Sequence, residues 1–129
     1  MPHQTIEYSA NLETDLDIDA LVDTMHKTAV GIDALPLGGI RTRAERRDIY
    51  RISDGHPDNT FINVKLHMAP RPLEVKKDTG ERLFQALCDF VQPVFDRRPM
   101  ALSLEVTEIQ TETRWKQSNI RDYLARRKQ

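Results

Sequence analysis

The chain contains one cysteine, Cys88, so no disulfide framework can form within it. No apolar run approaches the roughly 18 residues that a membrane-crossing helix needs. The opening residues have neither the basic nor the apolar region of a secretory leader. A surplus of one charge is also missing: 19 Lys and Arg against 20 Asp and Glu leave a formal net charge of -1. Such a balance gives no bulk attraction to nucleic acid or to acidic membranes. The expectation is a cytoplasmic protein with neither as a partner.

Motifs for several common chemistries are absent too. No glycine-rich phosphate loop occurs, and Ser9, Ser53, Ser103 and Ser118 lack the context of a nucleophile elbow. His3, His26, His56 and His67 show no zinc-ligand spacing and Cys88 has no second cysteine to join it, so no metal is expected. Asp15, Asp17 and Asp19 open like a calcium loop, but no glycine follows Asp19, and His26 stands where the closing glutamate belongs. An RNA-binding sheet needs exposed aromatics for base stacking, whereas Thr60 to Met68 offers only Phe61.

What is present suits one domain over 1–129, a length at which roughly two thirds of the unfolded surface can be buried. His3 to Tyr8 reads as a short strand ending at Ser9, Ala10, Asn11. From about Asp17, a capping residue, Ile18, Leu21, Val22, Met25, Ala29 and Ile32 recur at helical spacing, until Leu35 to Gly39 breaks the pattern. The arginine-dense stretch after Ile40 reads as a polar edge leading into a strand near Asp48 to Ser53, followed by a turn over Asp54 to Asn59. Thr60 to Met68 alternates, with Ile62, Val64, Leu66 and Met68 on one face.

Pro72 suits the first turn of a long helix with Leu73, Leu83, Phe84, Leu87, Cys88, Val91 and Phe95 on its apolar face, which Pro93 should kink or end. Met100 to Ile109 alternates again, with Leu102, Leu104 and Val106 inward. Trp115, Ile120, Tyr123 and Leu124 suggest a short closing segment, after which residues 126–129 should fray. This order predicts an α+β fold of two β-α-β units, forming one mixed four-stranded sheet with both helices on one face. The other face, if apolar and bare, calls for a skin of side chains or an oligomer.

Three residues stand out for chemistry. Pro2 follows Met1, and its small side chain permits removal of the methionine. The resulting secondary amine would be a general base near neutral pH, whereas an intact Met-Pro opening would leave only an amide. Arg41 follows Gly38 and Gly39, where backbone can approach a ligand closely, and Arg71 precedes a helix amino terminus. Either guanidinium could hold a carboxylate or simply face solvent.

Pro2-His3 with Glu7, Ser9 and Asn11; Leu35-Pro36-Leu37 leading to Gly39-Ile40-Arg41 and Arg43; Asp54-Gly55; Arg71 with Leu73-Glu74; Ala101-Leu102-Ser103 with Glu105; and Lys116-Gln117 with Asn119 run through nearly the whole chain. In this order and spacing they resemble the 5-carboxymethyl-2-hydroxymuconate delta-isomerase family of the tautomerase superfamily. The resemblance implies a homotrimer that uses no cofactor, with Pro2 as acid/base and Arg41 and Arg71 binding a polycarboxylate substrate. Enol-to-keto isomerisation of 5-carboxymethyl-2-hydroxymuconate is the implied reaction. Another 2-hydroxy or 2-keto dienoic acid is an alternative substrate, and a noncatalytic trimeric binding protein that keeps Met1 is a further alternative.

Overall fold

The computed structural model describes residues 1–128. The chain runs through β1 (His3–Ser9), α1 (Ile18–Val30), β2 (Arg41–Arg47), β3 (Thr60–Met68), α2 (Leu73–Phe95), β4 (Met100–Glu108) and α3 (Ile120–Arg127), with 3-10 turns at Ala10–Thr14, Leu37–Gly39 and Thr111–Thr113. The sheet order is β2-β1-β3-β4. β1 is parallel to β2, β3 is parallel to β4, and the two pairs meet antiparallel along β1 and β3. This is the expected pair of β-α-β units in one mixed α+β sheet.

Period-two burial builds the core. Ile6 and Tyr8 of β1 and Ile62, Val64, Leu66 and Met68 of β3 are buried beneath Leu21, Met25 and Ala29 of α1 and Leu83, Leu87 and Val91 of α2. Asp17 caps α1, its carboxylate accepting a hydrogen bond from the Ala20 N–H at 3.1 Å, which meets one of the donors a helix start leaves open. At the far end of the sheet, Asp15 accepts hydrogen bonds from Arg97 at 2.8 Å and from Arg98, joining the turn after β1 to the α2–β4 connection.

Several sequence expectations are corrected. The strand expected at Asp48 to Ser53 lies instead at Arg41–Arg47, and Ile49 is 91% exposed. β2 is an edge strand, so β1 supplies its pairing while charge on the free side is tolerated. Pro72 is the residue before α2 rather than inside its first turn, and the helix runs past Pro93 to Phe95. Its buried positions are Thr79, Leu83, Leu87, Val91 and Val94; Leu73, Phe84 and Phe95 fall off that stripe and are exposed.

Trp115 lies outside α3 and is 87% exposed, while Arg126 and Arg127 complete α3 instead of fraying. Gln129 lies outside the described residues. The sheet face away from the helices is not an apolar patch. Thr5, Lys65 and Glu105 form one cross-strand row on it, and His3, His67 and Thr107 form another. No helix is long and apolar enough to cross a membrane among the described residues.

Candidate active site

Strand direction decides what gathers around the amino end. β1 and β2 start at the same end of the sheet, and the Arg41 N–H donates to the Pro2 carbonyl at 3.0 Å. β3 and β4 run the opposite way to β1, with His67 opposite His3 and paired with Thr107, so both finish at that end. The chain leaving β4 therefore enters the neighbourhood of Pro2.

There it closes a cavity of about 180 Å³ lined by Met1, Gly38, Gly39, Lys116, Ser118 and Arg121. Two glycines make the approach possible. A Cβ on Gly38 would stand 2.6 Å from the Arg121 Cγ, and one on Gly39 would stand 2.8 Å from the Met1 Cα and 3.4 Å from the Pro2 Cδ. α3 rests on the turn that carries both.

The electrostatics of this corner are one-sided. Burial, followed by the charges of Arg114, Lys116, Arg41 and Arg121, holds the terminal amino group below its ordinary value of 8.0. Each of these disfavours the protonated amine. Arg41 Nη1 also donates to the Met1 Sδ at 3.2 Å. His3 is likewise held below its ordinary value, first by burial and then by Arg43 and Arg41, and its neutral Nδ1 accepts from Arg43 Nη1 at 3.2 Å.

Of the three residues singled out in the sequence, Pro2 is buried at the floor of this corner and Arg41 is beside it. Arg71 leaves β3 at the same end, but its Nη1 donates to the carbonyl of its own neighbour, Pro70, at 2.8 Å. Arg71 is not among the charges acting on the amino group. Arg114 and Arg121 were not singled out, and Lys116 entered only through the family resemblance. Nothing local marks them, because their position follows from strand order. Among the described residues no cluster of His, Cys, Asp and Glu could hold a metal ion.

The family model for 5-carboxymethyl-2-hydroxymuconate isomerase matches residues 2–124. The chain belongs to this family. It is 31% identical over 121 residues to 5-carboxymethyl-2-hydroxymuconate Delta-isomerase of Escherichia coli, covering 93% of this chain and 96% of that one. It is also similar to the crystal structure of a 5-carboxymethyl-2-hydroxymuconate isomerase from Deinococcus radiodurans R1. That match has a TM-score of 0.87 and 35% identity, over 95% of this chain and 93% of the other. A macrophage migration inhibitory factor-like protein from Entamoeba histolytica shares the fold alone, with a TM-score of 0.58 and 14% identity over 90% of this chain and 95% of the other. The fold is therefore that of the tautomerases.

Proposed function

We propose that this isomerase converts a 2-hydroxymuconate-type polyacid, with 5-carboxymethyl-2-hydroxymuconate as the leading substrate, and that Pro2, freed of Met1, is its acid/base. The carrying observation is the convergence of Arg41, Arg114, Lys116 and Arg121 on the terminal amino group. One residue further along, a Pro2 amine would face the same cations and burial, which disfavour its protonated form and so favour a free base.

The Pro2 nitrogen takes the proton from the 2-hydroxyl. The O–H electrons form the carbonyl, the conjugated double bonds shift, and the same proton is returned to a distant carbon. The dienolate formed in between is electron-rich, so fixed guanidinium groups stabilise it without reorganising. Arg41 beside the amine and Arg71 at the rim bind substrate carboxylates, and the step calls for no cofactor. Another 2-hydroxy or 2-keto dienoic acid would fit the same chemistry, because the arrangement specifies proton transfer and anion binding more closely than chain length. We place the chain in a homotrimer, in which the helix-free sheet face and the edges of β2 and β4 are available for contact.

Intact mass of the native protein tests the amine directly: loss of Met1 is expected, and full retention rules out Pro2 as base. In the trimmed protein, Pro2→Ala should lower kcat/KM for dienol ketonisation by up to roughly 10²- to 10⁴-fold with unchanged circular dichroism. Turnover at the wild-type rate would move the search to other groups. Sedimentation at micromolar concentration should show three chains; a monomer would overturn the assembly.

A further inference from the structure

Arg114, Lys116 and Arg121 reach the amino end from the segment between β4 and the first turn of α3. None of the three is in an ion pair among the described residues. Arg114 is more specific still, because its Nη2 is buried without a hydrogen-bond partner. A buried guanidinium N–H left unpaired is disfavoured unless an anion meets it. Lys116 and Arg121, though not Arg114, line the small cavity at Met1, and the Arg121 stem lies against Gly38 where no side chain could be accommodated without movement. The corner thus holds three cations with no carboxylate of their own, beside an amine that the proposed reaction needs free of its proton.

We propose that the segment from Arg114 to Arg121 is a carboxylate clamp that selects polyacids over monoacids. It binds one carboxylate of the substrate, and Arg41 binds another. This rests on the functional reading above for its purpose, though the binding itself can be measured separately. Arg114 donates through the buried Nη2, Arg121 closes over the glycine turn, and Lys116 adds a mobile point charge that does not require one geometry. Since all three sit on one segment, the order of that segment and the affinity for polyacids rise together. An occupied clamp would thereby hold the carboxyl-terminal segment over Pro2 and keep water from the proton in transit.

The test uses full-length protein trimmed to Pro2 and checked by intact mass. Calorimetric titration compares propane-1,2,3-tricarboxylate with propanoate. Arg114→Gln and Arg121→Gln should each weaken tricarboxylate binding by about tenfold and propanoate binding by less than about twofold, with Arg121→Lys recovering part of the loss. If Arg114→Gln fails to fold, Lys116→Gln, at an exposed position, carries the same comparison. Unchanged tricarboxylate affinity, or equal loss for both acids, would overturn the clamp. Pro2→Ala is the separating control, since it should abolish most turnover and leave tricarboxylate binding intact. A wild-type protein that binds the tricarboxylate through these residues but turns over no dienol retains the clamp and loses the proton-transfer reading.

Discussion

Gly39 and Met1 meet backbone to backbone, a Cβ on Gly39 falling 2.8 Å from the Met1 Cα. The turn before β2 and the start of the chain thus share a space that admits only one of two additions, a side chain at position 39 or a residue ahead of Pro2. Gly39→Ala should therefore act oppositely in two forms of the protein. With Met1 retained, overpacking should lower Tm by roughly 3–10 °C. With Met1 removed, the nearest remaining contact is the Pro2 Cδ at 3.4 Å, an ordinary approach. Tm should then hold or rise slightly, because alanine reduces the freedom of the unfolded chain. Thermal melts of the two mass-verified forms decide it, and an equal loss in both would remove Met1 from the explanation.

Removing a cation from the corner should move the pH profile. Burial and then Arg114, Lys116, Arg41 and Arg121 lower the affinity of the terminal amine for a proton. Arg41→Ala relieves part of that repulsion, so the pKa of the base rises toward its ordinary value. A base must be unprotonated to act, so the acid limb of kcat/KM should shift to higher pH and activity at neutral pH should fall beyond any loss of binding. An unmoved acid limb would show that the titrating group lies elsewhere.

Arg71 offers a test of the rim. Its guanidinium donates one N–H to the Pro70 carbonyl at 2.8 Å, which leaves its other donors open to a substrate carboxylate. Arg71→Ala should raise KM for multiply charged acids while sparing a singly charged enol. A rise in KM with kcat unchanged marks uniform binding, and a fall in kcat marks a contact made in the transition state. Equal losses on both substrates would make Arg71 structural.

The opposite end of the sheet predicts acid sensitivity. Hydrogen bonds from Arg98 and Arg97 hold the Asp15 carboxyl below its ordinary range. Its folded pKa is depressed, so its contribution is complete above the unfolded value of about 3.9 and is lost as pH falls through the folded one. Asp15→Asn should lower Tm by roughly 3–8 °C near neutrality, and the gap to wild type should narrow below about pH 4. A gap constant across that range would mean that the carboxylate charge contributes nothing there.

Pattern in the sequence was enough where an element's own residues carry its reason to form. Asp17 announces the start of α1 because a short carboxylate side chain can meet the open donors of a first turn. The alternation from Thr60 to Met68 announces β3 because one face must be buried and the other need not be. Pro2, Arg41 and Arg71 could be named from their local contexts and from the family resemblance.

Tertiary structure alone decided the rest. β2 forms from Arg41 to Arg47, a stretch with no apolar alternation, because β1 supplies its hydrogen-bond partners and its free edge faces away from the sheet. Ile49 and Ile52 nearby suggest a strand, yet among the described residues no neighbouring strand is there to pair with them. Arg114, Lys116 and Arg121 lie far from Pro2 along the chain. They reach it because β4 runs parallel to β3 and β3 runs antiparallel to β1, delivering the end of one unit to the beginning of the other. Local propensity is set by neighbours along the backbone, whereas this charged corner is set by strand direction, which no short stretch of sequence contains.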